Sequence, residues 1–336
     1  MRAMLTTGHG DRSVLELKEN FTDPQPEAGE VTVDIHATAV NFHDIFTRRG
    51  MPGININFPL IVGSDIAGTV SAVGDEVDSA WIGKRVLIDP VFRDGKRIGM
   101  IGETCHGGRA EKIAVSLLHL LELPQNVSME QAASLPLAYG TAWRMMVTQG
   151  SIAEGETVLV LGASGGVGVA CVQIAKLFGA TVIACASSDS KIERLRGIGA
   201  DHVVNYVEQP FRKSVQELVG KPRLTGEGGV DVAVNFTGGD TLLDTQKCVK
   251  LGGRILTCGA TAGFEQQLDA RYWWTFEHLM IGSNGWTPDD LIALMSHIDE
   301  GRLEPVIDKV FALEETAEAE RLLEDREVVG KVLIAP

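Results

Sequence analysis

Long apolar runs are missing from this chain. No stretch approaches the roughly 20 residues that a membrane-spanning helix needs. The N-terminal MRAMLTTGHGDRSVLEL lacks the apolar core of a signal peptide, so the expected location is the cytoplasm. Basic excess is missing as well: 30 Lys and Arg face 45 Asp and Glu, a net charge of −15. Such a surface repels nucleic acid and anionic lipid, so neither is expected as a main partner. Cysteine is scarce. The five, Cys105, Cys171, Cys185, Cys248 and Cys258, are odd in number and none has metal-clip spacing. That excludes a disulfide framework. Cys171, Cys185 and Cys258 sit in apolar segments, where a thiol acts as a small hydrophobe. Internal repeats and low-complexity tracts are also absent.

What is present centres on Thr157–Ala186, TVLVLGASGGVGVACVQIAKLFGATVIACA. A short β-branched run at 158–161 leads into a glycine turn. A helix is expected over 167–178, stopped by Gly179, and a second strand over 181–185. Strand, glycine turn, helix and strand form the first half of a dinucleotide-binding unit. Ala163, Gly165 and Gly168 occupy the positions of G-x-G-x-x-G, with alanine first. The first small residue permits the tight turn, Gly165 admits a pyrophosphate, and Gly168 lets helix and strand pack closely. Ser164, Gly166 and Val167 complete the turn, and the helix N-terminus offers N–H groups and a positive dipole end to phosphate.

The 336 residues suggest two domains. Before about residue 120 the chain reads as many short strands: 31–40, 66–73, 85–88 and 110–115. Turns at Asp23-Pro-Gln-Pro, Pro52-Gly53, Gly74-Asp75, Asp94-Gly95 and Gly107-Gly108 separate them. This pattern suggests a small barrel. Ser128 followed by Gln131 reads as a capping box, and a helix is expected over 141–148. Beyond the glycine turn, strands at 203–205, 230–235, 254–258 and 279–283 alternate with helices at 189–196, 211–219, 241–250 and 271–278. Six such strands predict a doubly wound parallel sheet of order 3-2-1-4-5-6. Helices over 289–298 and 314–323 and a strand over 331–334 end the chain.

Several segments together resemble the medium-chain dehydrogenases/reductases, in the zinc-independent quinone-reductase and alcohol-dehydrogenase-like branch. They are NFHDIFTRRG (41–50), GSDIAGTVSAVG (63–74), GKRV (83–86), GGRAEKIAV (107–115), TAW (141–143), GASGGVG (162–168), GADHVVNY (199–206), GGRILTCGA (252–260) and GKVLI (330–334). The resemblance implies an α/β chain: a GroES-like β-barrel domain from 1–122 and 284–336, and a Rossmann domain over 123–283. The active site would lie in the cleft between them. Zinc-dependent relatives carry a cysteine at the position of Asn41, a histidine at that of Ser64 in Gly63-Ser64-Asp65, and a third ligand near Leu137. Asn, Ser and Leu cannot supply the Cys, His or carboxylate donors that zinc takes. The four-cysteine structural lobe is reduced to Cys105. A rival metal site could be assembled from His43, Asp44, Asp65, Cys105 and His106, but metal-bearing relatives do not use those positions. No zinc is therefore expected.

NAD-preferring Rossmann sites place a carboxylate at the end of the second strand. Here Ser187 and Ser188 follow that strand, with Lys191 a turn further on. Hydroxyls and an ammonium suit a 2′-phosphate, and the resemblance sets Tyr206 beside it, so NADPH is expected over NADH. The resemblance also implies cofactor contacts from Thr141, Thr237, Gly238, Cys258, Gly259, Ala260, Ser283, Asn284 and Lys331. Without a metal to polarise a carbonyl, a conjugated acceptor is the easier hydride target, because its charge delocalises. Asn41, His43, Asp44 and Tyr139 are the candidate catalytic groups: Asn41 as a hydrogen-bond partner, His43 as a proton relay, Asp44 as an orienter, Tyr139 as a proton donor. Arg48 and Arg49 could meet an acidic group on a substrate. The reading is an NADPH-dependent reductase of quinones or enones. The alternatives are an alcohol dehydrogenase or carbonyl reductase of the same fold, and a non-catalytic NADPH-binding sensor. Relatives pair their sixth strands, which implies a homodimer or a tetramer built on it. Trp273, Trp274 and Trp286 surround that strand and could line a pocket or a subunit contact.

Overall fold

The alternating run at 31–40 is the spine of the first of two units. The computed structural model describes residues 1–50, 55–93, 95 and 99–336. The expected turn at Pro52-Gly53, and Asp94 of the Asp94-Gly95 turn, lie outside the described residues. One unit comprises Met1–Leu137 with Leu291–Pro336, the other Ala138–Asp290.

The first unit opens with strands β1 (Ala3–Thr6), β2 (Leu15–Lys18), β3 (Glu30–Val40), β4 (Leu60–Ile61), β5 (Asp65–Val73), β6 (Arg85–Ile88), β7 (Lys112–Ser116) and β8 (Leu120–Glu122). β3 pairs antiparallel with both β5 and β7, and β5 continues to β6. Its inward residues Val31, Val33 and Ile35 meet Ile66, Val70, Val86, Ile88, Ile113 and Val115 in one core. Helix α1 (Phe42–Arg49) follows β3 directly, and Asn41 is its N-cap. Ser128 and Gln131 form the expected capping box of α2 (Met129–Ala133). This helix packs on β3 and β5, which keeps 123–137 with the first unit. The expected junction at 122/123 therefore lies too early.

The second unit is a six-stranded parallel sheet. The expected helix over 141–148 is a three-residue α3 (Thr141–Trp143) running into wider π turns at Arg144–Gln149. Strand β9 (Thr157–Val160) leads through the glycine turn to α4 (Gly166–Leu177), then β10 (Thr181–Ala186). After α5 (Asp189–Ile198) come β11 (His202–Asn205), α6 (Phe211–Val219), β12 (Val230–Val234) and α7 (Thr241–Gln246). Strand β13 (Val249–Thr257) starts earlier than expected, because Val249 already pairs with Val230. Helix α8 (Ala270–Thr275) and β14 (Leu279–Gly282) finish the sheet. Its order is β11-β10-β9-β12-β13-β14, the 3-2-1-4-5-6 order expected from the sequence. The central strands β9, β10 and β12 are almost continuously apolar and buried, as strands covered on both faces of a parallel sheet are. Thr148 Oγ1 donates to Asp290 Oδ1 at 2.6 Å, which holds the segment after β14 to this unit. The junction thus falls after 290 rather than at 283/284.

Helix α9 (Pro288–Asp299) carries the chain back into the first unit, where β15 (Ile307–Ala312), α10 (Thr316–Glu324) and β16 (Lys331–Ala335) close it. β16 pairs antiparallel with β3 in the register Val332↔Val40. The seven-stranded sheet then runs β15-β16-β3-β5-β6-β8, with β7 on β3. β1, β2 and β4 form a second, three-stranded sheet. Among the described residues, no helix is long and apolar enough to cross a membrane.

Candidate active site

The β3–β16 register decides the centre of the first unit. With Val332 opposite Val40, the next residues outward are Lys331 and Asn41. Their side chains meet: Lys331 Nζ donates to Asn41 Oδ1 at 2.5 Å and to Asp65 Oδ2 at 3.1 Å. Asn41 Nδ2 donates to the same Asp65 oxygen at 2.9 Å. The Leu137 backbone N–H donates to Asp65 Oδ1 at 2.9 Å. All three side chains are buried: Asp65 at 0%, Lys331 at 2% and Asn41 at 8% exposure. The ammonium facing Oδ1 and the carboxylate facing Nδ2 fix which way the Asn41 amide points.

Asp44 lies behind this centre. Its Oδ2 accepts the Asn41 backbone N–H at 2.9 Å and Arg109 Nη2 at 3.1 Å. Burial raises the Asp44 pKa, and the Arg109 charge opposes that rise without cancelling it. Arg109 also pairs with Glu320 of α10, and Glu320 takes Arg48 Nε at 2.7 Å. The two guanidinium groups outweigh burial and hold Glu320 below the usual glutamate range. Arg48 is fully buried and donates further to Glu324 and to the Gly10 carbonyl, and Arg49 pairs with Glu324. The expectation that Arg48 meets a substrate acid is therefore corrected: it ties α1 to α10.

His43, the second residue of α1, has a partner that the sequence did not reveal. Its Nε2 lies 2.8 Å from Glu103 Oε2. Burial pulls the His43 pKa down. The Glu103 hydrogen bond and the charges of Asp44, Glu103 and Asp65 push harder, and the net shift is upward. Tyr139 departs from expectation. It is fully buried, and its hydroxyl donates to Gln173 Oε1 at 2.7 Å, so its proton is spent within the second unit. The residues of the rival metal cluster are likewise engaged. Asp65 holds Lys331, Asp44 holds Arg109, His43 meets Glu103, and His106 Nδ1 accepts the Ile61 N–H.

In the second unit the expected cofactor residues gather at one edge, the carboxyl ends of the six strands. Gly162 turns the chain with φ +66°, and Gly165 caps α4 without a side chain. A Cβ on Gly168 would stand 2.3 Å from the Gly162 oxygen, whereas one on Gly165 would meet only that oxygen, at 3.8 Å. The first glycine is needed by the fold, and the second leaves room above the helix N-terminus. That open, uncapped N-terminus fits the phosphates of a dinucleotide. Ser187 and Ser188 follow β10, and the Tyr206 N–H donates to the Ala186 carbonyl, bringing Tyr206 beside them. Asp189 is turned to Asn205, whose Nδ2 it accepts at 3.1 Å. Thr237 and Gly238 follow β12. Asn235 Oδ1, a buried acceptor overlooked in the sequence, takes both of their N–H groups. Cys258, Gly259 and Ala260 follow β13, and Ser283 and Asn284 follow β14. Burial pushes the Cys258 thiol up to about 12, so it is no nucleophile. Thr141 opens α3 in the same unit. Lys331 lies in the first unit, where its ammonium bonds Asn41 and Asp65.

Comparison with known proteins agrees with both units. Residues 27–125 match the alcohol dehydrogenase GroES-like domain, and residues 166–300 match the zinc-binding dehydrogenase family. Bovine quinone oxidoreductase-like protein 2 is 31% identical across 94% of this chain and 88% of its own. The chain belongs to the medium-chain dehydrogenases/reductases, in their quinone-oxidoreductase-like branch. Human quinone oxidoreductase is 28% identical over 99% of this chain and 97% of its own. Acryloyl-coenzyme A reductase of Sulfurisphaera tokodaii is 28% identical over 95% and 96%. A solved structure described as an NAD-dependent alcohol dehydrogenase superposes with TM-score 0.91 at 36% identity, covering all of both chains. The family name implies zinc, and the residues here do not fit it. The positions expected to carry its ligands hold Asn41, Ser64 and Leu137. The carboxylate beside them, Asp65, accepts three hydrogen bonds.

Proposed function

We propose that this medium-chain oxidoreductase reduces quinones or α,β-unsaturated carbonyl compounds with NADPH and without zinc. The observation that carries the reading is the buried Asn41–Asp65–Lys331 cluster, which ties up Asn41, the residue that the resemblance sets at a zinc-ligand position. A centre with no Lewis-acid metal favours acceptors whose developing charge is already delocalised. The names of the quinone oxidoreductase and acryloyl-coenzyme A reductase relatives support the same class.

NADPH, when bound, supplies a hydride. Gly165, Gly166, Val167 and Gly168 at the head of α4 would hold its pyrophosphate, and Ser187, Ser188, Lys191 and Tyr206 its 2′-phosphate. Asn41 presents its amide in one fixed orientation. Asp44 pins the Asn41 backbone, and the Glu103 hydrogen bond at Nε2 favours the protonated form of His43, the proton store of this reading. Strand β14 is an uncovered, uncharged sheet edge, and Leu279, Met280, Trp273 and Trp274 are exposed beside it. That edge supports a homodimer. Chromatography should return a dimer mass, and a monomer mass would contradict it.

Lys191→Ala tests the cofactor assignment. It should raise the Michaelis constant for NADPH about tenfold, the loss of one charge-assisted phosphate contact. That for NADH should stay nearly unchanged. Equal effects on the two would refute the assignment. A second reading, an NAD-dependent alcohol dehydrogenase, is favoured by the name of the 36%-identical structure. It predicts alcohol oxidation with NAD as the faster reaction.

A further inference from the structure

The cluster has hydrogen-bond donors left over. Lys331 has three N–H groups, and two are spent, on Asn41 Oδ1 and Asp65 Oδ2. The Asn41 amide has two, and one goes to Asp65. The third ammonium hydrogen and the second amide hydrogen have no acceptor among the described residues. They belong to nitrogens that both contact Asp65 Oδ2, one at 3.1 Å and the other at 2.9 Å. Ser64 adds a fully buried hydroxyl with no partner among the described residues.

Charge completes the picture. Asp65 and Lys331 cancel as a pair, so the centre is neutral and buried. A neutral pair that still offers two unspent donors can accept one further negative charge. Both donors are held before any ligand arrives: Asp65 fixes the ammonium and the amide, the Leu137 N–H fixes Asp65, and Asp44 fixes the Asn41 backbone. Preorganised donors of this kind stabilise an oxyanion because they need not reorient as the charge appears.

We propose that Lys331 takes over the task of the missing metal: its ammonium, with the free amide N–H of Asn41, binds the substrate oxygen on which negative charge develops. This rests on the reductase reading above. A hydride from NADPH adds to the β-carbon of an enone, and NADP⁺ is left. The two π electrons move through the α-carbon onto the carbonyl oxygen, giving an enolate. The ammonium and amide hold that oxygen until a proton reaches the α-carbon, which closes the balance of one hydride and one proton. His43, whose pKa already feels the charge of Asp65, stands nearby as proton store.

Lys331→Met alone strands a buried carboxylate, so the test pairs it with Lys331→Met/Asp65→Asn, which removes both charges and leaves an oxygen for the Leu137 N–H. The double variant should melt near the wild-type temperature and bind NADPH, by fluorescence titration, within about threefold of wild type. Its kcat on an enone should fall about 10²-fold, the cost of one oxyanion donor. Lys331→Arg should recover part of that loss. Unchanged kcat in the double variant would overturn the proposal. So would a large rise in the NADPH dissociation constant with kcat intact, which would make Lys331 a cofactor contact. A second readout needs no turnover. 4-Nitrophenol, titrated by its visible absorbance in the presence of NADP⁺, should bind as phenolate to the wild type and about 10²-fold more weakly to the double variant. Equal phenolate affinity in the two would also overturn it. If the wild type reduces no enone or quinone, the reductase reading fails, and the phenolate titration still decides whether the anion site exists.

Discussion

Replacing Gly165 by alanine should separate what the fold needs from what the ligand needs. Gly165 has φ −74° and ψ 172°, a conformation that alanine adopts without strain. Its new Cβ would meet a single protein atom, the Gly162 oxygen, at 3.8 Å. Two effects then oppose each other: the restricted unfolded chain contributes about 0.4–1 kcal/mol, and alanine is a poorer N-cap than glycine by a comparable amount, so the melting temperature should move by no more than about 3 °C. The methyl group stands in the open space over the α4 N-terminus, where the pyrophosphate would approach. NADPH affinity should fall at least tenfold, about 1.4 kcal/mol. Gly168→Ala should behave in the opposite way. Its Cβ would lie 2.3 Å from the Gly162 oxygen and 2.6 Å from two Ala163 backbone atoms. Helix and turn must part, at about 1–3 kcal/mol of stability. Thermal melts without cofactor and fluorescence titrations with NADPH measure both effects. A Gly165→Ala protein that binds NADPH like wild type, or melts as low as Gly168→Ala, would refute the reasoning.

Two further predictions concern charge. The His43 pKa is raised above the ordinary 6.5, with Glu103 as its hydrogen-bond partner, so the pair stabilises the fold fully below that value and the contribution is lost as pH rises through the raised one. Glu103→Gln should therefore move the alkaline decline of kcat to lower pH, and an unmoved profile would remove His43 from proton delivery. Glu320→Gln leaves Arg48 and Arg109 short of a buried counter-charge and should cost about 3–5 kcal/mol at neutral pH in urea unfolding. Glu320 has a lowered pKa, so its contribution is present above the ordinary 4.5 and lost as pH falls through the folded value. The difference between variant and wild type should shrink in acid, and a difference that persists unchanged there would contradict the ion network.

The elements with local signals were legible in the sequence. The β-branched runs, the capping box at Ser128 and Gln131, and the glycine turn lie where their residues placed them. Strand order followed as well, because right-handed crossovers leave few alternatives. Partners far apart in the chain were not legible. Lys331 and Asn41 are brought together only by the β3–β16 register, and nothing local in GKVLI announces it. Glu103 sits in a short irregular segment with no periodicity to read. Arg48 looked like a free loop cation because its acceptors, Glu320 and Glu324, lie on the last helix. Tyr139 looked like a proton donor because a hydroxyl near a site is ambiguous until its acceptor is known, and that acceptor is Gln173.

The most direct test of the account is the rate of NADPH oxidation by tag-free protein after exhaustive chelation, with a conjugated enone set against its saturated ketone. The account predicts an undiminished rate with the enone and essentially none with the ketone. A rate that vanishes on chelation and returns with one zinc per chain would contradict it.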